Sequence, residues 1–329
     1  MAEYGWGLTP ELVSKATTEL NERQELVADA VEAVRDQMET RPDITFLRTD
    51  DAFILRFLRA RKFDTFEAFK LFGRYFEYRQ NHPNIFKDFN TAEHSVKEAL
   101  FDGIPAVLEK PDHFGRRIIV LYSANWDNTR YGLAAIYRAI LLTLEKLIDN
   151  EECQINGFVI IVDWSQFTFR QSTWLNPKIL RQMIEGLQDC FPARFSAVHF
   201  VNQPWYIEAV FKMVRPFLKE KNKNKIRFHG INLGTLHTEI HKEVLPAELG
   251  GSEPPYNNQC WARKLTGDEN FSFSDKHIYW PSQSQIVSRS KSFPADFYSP
   301  EKPVEDTLAG GDNKPDRGTY LDEEFFLID

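Results

Sequence analysis

From about residue 114 the sequence alternates between two periods, and that alternation limits its fold more than any other feature. The runs 117–122 (RIIVLY), 158–163 (FVIIVD), 197–202 (AVHFVN) and 225–228 (KIRF) are short, with β-branched or aromatic residues, and read as strands. Between them, 133–148, 177–189 and 204–220 carry apolar residues at helical spacing, and the second opens on a proline suited to a first helical turn. Strands alternating with helices of this length build βαβ units, which implies a mostly parallel sheet with helices packed on it.

Upstream, the first ninety or so residues read as helices. Leu12, Ala16, Leu20, Val27, Ala30, Val31 and Val34 keep helical spacing over 11–38. A second helix is expected over 51–61, with Phe53, Ile54, Phe57 and Leu58 on one side. Asp64 with Glu67 three residues on has the form of a capping box, and the helix it opens ends before Pro83. After 266, Ser, Pro, Asp and Gly become frequent and too little apolar surface remains to offset ordering entropy. The expected organisation is therefore a helical domain over 1–95, an α/β domain over 96–265 and a largely disordered tail over 266–329.

Cys153, Cys190 and Cys260 are widely spaced, so neither a disulfide framework nor a cysteine zinc site is suggested, and a reducing, cytoplasmic setting follows. No signal-peptide pattern is visible, and the longest apolar runs are strand-sized, far short of the roughly 20 residues that span a bilayer. Any membrane contact is expected to be peripheral.

An α/β sheet invites an enzymatic reading, but the signatures fail. There is no G-x-S-x-G elbow around Ser165, no P-loop and no G-x-G-x-x-G run. His237 and His241 are four apart, yet the intervening glutamate is misplaced for a zinc protease and no third ligand is evident. Asp163, at the end of a strand, reads as a structural hydrogen-bonding group. No enzyme, metal or cofactor is expected.

The most unusual stretch is 215–227 (RPFLKEKNKNKIR). Six of its thirteen residues are basic in a chain whose formal net charge is −8. It follows a helical segment whose polar residues, Glu208, Lys212, Arg215 and Lys219, form one narrow stripe. Trp205, Tyr206, Ile207, Val210, Phe211, Met213, Val214, Phe217 and Leu218 cover the rest, so the helix needs apolar material on more than one side. It suits either a helix wedged in a core or a lid that covers an apolar cavity and dips into a membrane. Dipole compensation explains one or two cations at a helix end, not six. Cations near an anionic leaflet are each worth about 1 kcal/mol, which favours a membrane over nucleic acid as partner. A second basic group, Arg56, Arg59, Arg61 and Lys62, lies in the N-terminal helical region.

Long segments spread over residues 8–265 resemble the CRAL-TRIO lipid-binding family: RTDDAFILRFLRARKF (48–63), NGFVIIVDWS (156–165), FPARF (191–195), HFVNQPWY (199–206), RPFLKEK (215–221) and LPAELGG (245–251). The resemblance implies a small helical domain followed by an α/β domain whose mostly parallel sheet and flanking helices enclose one hydrophobic lipid. It implies a gate helix over 204–218, with Trp205, Tyr206, Val210, Phe211, Val214 and Phe217 as gate residues. It also implies a phosphoinositide headgroup held by basic residues beside the gate: Lys221 and Lys225 first, with Lys223, Arg194, Arg59 and Arg61 contributing. A basic position used in a tocopherol-binding relative corresponds to Ser196. The branch of the family most resembled implies phosphatidylinositol 3,5-bisphosphate as the headgroup, and endosomes, lysosomes, the trans-Golgi network and clathrin-coated vesicles as locations.

The segment Phe325, Phe326, Leu327, Ile328 and Asp329 is similar to a clathrin box, with Phe325 where leucine is usual. It makes clathrin and its adaptors candidate partners. Lipid binding or transfer coupled to phosphoinositide recognition is the expected function; a clathrin-associated adaptor without lipid transfer is the alternative.

Overall fold

The computed structural model describes residues 8–267. Its centre is a five-stranded sheet in which β1 (Ala106–Val107), β2 (Arg117–Tyr122), β3 (Phe158–Asp163), β4 (Phe195–Val201) and β5 (Ile226–Gly230) lie side by side in chain order. β1 runs antiparallel to β2, and every later pair is parallel. β3 is apolar at every position before its final aspartate and buried throughout, as a central strand covered on both faces must be. β4 begins two residues earlier than expected, because Phe158 pairs with Phe195 and Val159 with Ala197, leaving Ser196 as a bulge.

The two faces of the sheet are packed differently. Ile118, Val120, Tyr122, Val159, Ile161 and Val201 meet Leu236, Ile240, Leu245 and Leu249 in one apolar cluster. The pairing register puts Leu121, Ile160, Val162, Val198, Phe200, Ile226 and Phe228 on the opposite face. Several of these, Leu121, Val198, Phe200 and Ile226, remain only half-buried. So do Ile179, Leu180, Met183 and Leu187 in and beyond the helix Pro177–Glu185. Most of these side chains border the main core yet keep part of their surface accessible.

The helical expectations need three corrections. The pattern over 11–38 forms two helices, Pro10–Leu20 and Val27–Asp36, because Asn21 adopts a left-handed conformation (φ 58°) and its N–H closes on the Ala16 carbonyl. The helix Pro177–Glu185 widens into a π-turn, Gly186–Cys190, instead of continuing to 189. Gly186 is required there: a Cβ would sit 1.9 Å from the Tyr137 hydroxyl. The third expected helix is Trp205–Val214 alone. Pro216 brings no N–H to the ladder, so the chain tightens through Arg215–Phe217 and then extends at Leu218, before a separate turn of helix, Glu220–Lys223.

Elsewhere the local signals hold. The helix Asp51–Ala60 is capped by the Asp50 carboxylate, and Thr65–Asn81 by Asp64, whose side chain accepts from the Glu67 N–H. The Glu67 carboxylate pairs with Lys70, and the Asp64 N–H bonds the Arg61 carbonyl, so only the Asp64 half of the expected capping box forms. Phe46, Phe53, Phe57, Phe72, Tyr75 and Phe76 interlock ring against ring, for example Phe57 and Phe72 at 4.9 Å edge to face. This aromatic cluster is continuous with the helix Leu133–Leu147 and with Ile119 and Phe158 of the sheet. Among the described residues, no helix is long and apolar enough to cross a membrane.

Candidate functional site

The helix Trp205–Val214 lies beside the half-packed face of the sheet. Its inner side carries Ile207, 2% exposed, and Val214, while Phe211 meets the rings of Phe200 and Phe228 at 6.3 and 5.0 Å. Val210 is half-buried. The Tyr206 hydroxyl donates to the Phe167 carbonyl, which ties the start of the helix to the loop after β3. Outward, the helix is not an ordinary surface helix: Trp205 is 74% exposed, Met213 is about half exposed, and Phe217 is exposed just beyond its end. The exposed Phe169 ring stacks on Trp205, extending the apolar patch to the neighbouring turn. Glu208, Lys212, Arg215 and Lys219 are all exposed, as the polar stripe requires.

Next to this helix the structure gathers cations from three distant parts of the sequence. Lys221 is held below its ordinary pKa, first by burial and then by Arg61 and Lys219, against the opposing pull of Asp189 and Glu67. Lys225 is lowered by burial, Lys221 and Arg194, and its ammonium donates to the Phe195 carbonyl at 2.8 Å. Arg61 is lowered chiefly by burial, and Arg74 repels it further against the opposing pull of Glu67 and Asp189. Lys221, Lys225, Arg61 and Arg74 make no ion pair among the described residues. Lys221 and Lys225 come together although no continuous helix joins them; a turn of helix and the start of β5 do so instead.

The other candidates are placed differently. Arg59 is fully buried: it grips Glu22 through two hydrogen bonds of 2.8 and 2.7 Å and also reaches Gln154 and Glu151, so it is no headgroup ligand. Arg56 is likewise turned inward, to Asp149 and Glu145. Lys223 pairs with Glu220. Arg194 donates to the Ile155 carbonyl and lies 3.3 Å from Glu19. The Ser196 hydroxyl accepts from Arg116, whose guanidinium is also paired with the buried Asp112 at 2.6 Å. Arg74 and Arg116 were not anticipated, since nothing in their local sequence links them to 215–227.

Asp163 is structural, as expected: one of its carboxylate oxygens accepts from the Ser165 N–H and hydroxyl and from the Asn202 amide at 2.7–3.0 Å. His237 and His241 do not share a helix face, because the helix Leu233–His237 ends between them. His237 bonds the Leu249 carbonyl and His241 stacks on His113. The segment Phe325–Asp329 lies outside the described residues.

Comparison with known proteins agrees with this architecture. The CRAL/TRIO domain profile matches residues 101–251, and the CRAL/TRIO, N-terminal domain profile matches 17–73. The chain is 57% identical over 263 residues to "Clavesin-2" of Homo sapiens, covering 80% of each. It is 54% identical over 273 residues to "Clavesin-1" of Mus musculus (83% of this chain, 76% of that one) and 52% over 281 residues to "Clavesin-1" of Xenopus laevis (85% and 84%). A solved structure titled "Crystal structure of Sfh5" aligns with a TM-score of 0.46 at 12% identity, over 84% of this chain and 98% of that one. On both the domain matches and these identities, the chain belongs to the CRAL-TRIO lipid-binding family, with clavesins among its relatives.

Proposed function

We propose that this protein binds or transfers a hydrophobic lipid without catalysing a reaction, and couples that to recognition of a phosphoinositide, phosphatidylinositol 3,5-bisphosphate, on endosomal membranes. The observation that carries the proposal is the cluster of Arg61, Arg74, Lys221 and Lys225 beside a helix whose exposed side is partly apolar. Like charges held together, with Asp189 and Glu67 nearby but no direct ion pair to these four among the described residues, favour a polyanionic ligand, because binding relieves their mutual repulsion. The half-packed apolar face beneath the helix supports a lipid cargo.

Magnitudes define how the gate works. Lifting the helix exposes Ile207 and Val214, at about 1.5–3 kcal/mol each. Four cations at about 1 kcal/mol each offset much of that cost. Insertion of Trp205, Met213 and Phe217 into the bilayer supplies the remainder, with the break at Pro216–Leu218 as hinge. Headgroup contact and bilayer insertion thus act together on gate opening.

The test is co-sedimentation with phosphatidylcholine vesicles carrying each phosphoinositide in turn. Selective binding by the native chain and its loss in a Lys221→Ala/Lys225→Ala variant are expected. Equal, weak binding of both proteins to every vesicle overturns the headgroup assignment. Mass spectrometry of organic extracts from the purified protein tests the cargo separately. The FFLID segment at 325–329 favours a further role as a clathrin contact; deleting 320–329 is expected to abolish coat association and spare membrane binding.

A further inference from the structure

Outside the lipid site, the structure brings three metal-ligating side chains together from three separate elements. His199 lies on β4, His229 on β5, and Glu239 in the segment that covers the adjoining face of the sheet. One ligand atom from each lies within 4.8 Å of the other two. His199 Nδ1 and His229 Nε2 are 2.9 Å apart.

We infer that His199, His229 and Glu239 form a binding site for a divalent transition metal of the zinc type, with a water completing the coordination. Two imidazoles and one carboxylate are a recurrent zinc donor set, and zinc keeps an open fourth position when the protein supplies three ligands. Ligand atoms around a tetrahedral zinc stand about 3.3 Å apart, given bonds of about 2.0–2.1 Å. The two histidines therefore separate by a few tenths of an ångström, and the Glu239 carboxylate swings inward.

The surroundings suit a metal better than a simple hydrogen-bonded pair. His229 Nδ1 lies 2.7 Å from the Thr235 hydroxyl, a contact that fixes the ring and directs Nε2 toward His199. His199 is buried and His229 half-buried. The Glu239 carboxylate faces them from the covering segment. Its only ion pair among the described residues is a long one, 3.6 Å to Arg227 at the surface, which contributes little and is readily exchanged.

A metal here would tie β4, β5 and the covering segment together. On its other face β5 carries Phe228, which packs on Phe211 of the helix Trp205–Val214, so the site would stiffen the seat of that helix. The inference stands whether or not the lipid reading does.

The test uses the untagged full chain, stripped with a chelator and titrated with Co²⁺ alone. One equivalent with visible d–d absorption is expected, displaced by Zn²⁺, with a rise in melting temperature on metal addition. Glu239→Gln, at a half-exposed position that leaves the fold intact, and His229→Asn are each expected to weaken binding at least tenfold. His241→Asn, which disrupts the separate His113–His241 stack at 4.3 Å, is expected to change nothing. Absence of binding to the native chain overturns the inference. So does native-like binding by Glu239→Gln and His229→Asn, or loss of binding in His241→Asn.

Discussion

Arg59 and Arg61 stand two residues apart with opposite roles, and their surroundings say which changes will matter. Arg59 neutralises buried Glu22 and, partly, Glu151. Arg59→Met leaves the Glu22 carboxylate buried without its cation, at a cost of about 3–5 kcal/mol. Urea denaturation is expected to show that loss, while the protein that remains folded binds phosphoinositide vesicles normally. Arg61 is part of the repelling group. Arg61→Ala is expected to leave the urea midpoint in place and weaken vesicle binding about fivefold, the worth of one cation at about 1 kcal/mol. Lys221→Met follows the same logic: burial and its neighbours disfavour its charge in the folded state, so removing it leaves the melting temperature unchanged or slightly higher. A marked fall in melting temperature in either of these two variants would mean that the cluster is structural.

The helix Trp205–Val214 separates the same two roles along one element. Ile207→Ala empties a well-filled site and is expected to lower stability by about 2–5 kcal/mol. Trp205→Ala touches a largely exposed ring; it is expected to shift stability by less than about 0.5 kcal/mol yet weaken membrane binding. Similar stability losses in both would mean that Trp205 packs and does not insert. This helix was legible in the sequence because its stripe of four polar residues is narrow, and β3 because it is apolar at five consecutive positions before Asp163. β1 was not, since two residues carry no period. The end of the helix was overrun because the apolar spacing continues past Pro216, whose missing N–H decides the matter. The site was only half legible. The stretch 215–227 announces itself by charge density and the family resemblance adds Arg61, but Arg74 comes from the N-terminal helices and only the fold brings it near them. Arg59 looked equivalent to Arg61 because a list of basic residues does not reveal that one of them faces Glu22.

At the scale of the whole molecule, the net charge of −8 works against an anionic bilayer, and the local cations work for it. On the proposed reading, that balance favours an approach to the membrane with Arg61, Arg74, Lys221 and Lys225 leading. Vesicles containing phosphatidylserine alone are therefore expected to recruit it weakly, because a diffuse negative surface repels the rest of the chain as it attracts the cluster. A phosphoinositide concentrates several charges on one headgroup and is expected to be favoured over the diffuse surface. Salt separates this electrostatic step from the apolar one. The screening length falls from about 10 Å at 0.1 M to about 3 Å at 1 M, while burial of apolar surface is not weakened by it. Raising the salt across that range is expected to reduce phosphoinositide-vesicle binding at least tenfold. A fluorescent fatty acid bound in the interior should be held as tightly as before. If vesicle binding survives 1 M salt, docking rests on Trp205, Met213 and Phe217, and the cations steer the encounter without holding it.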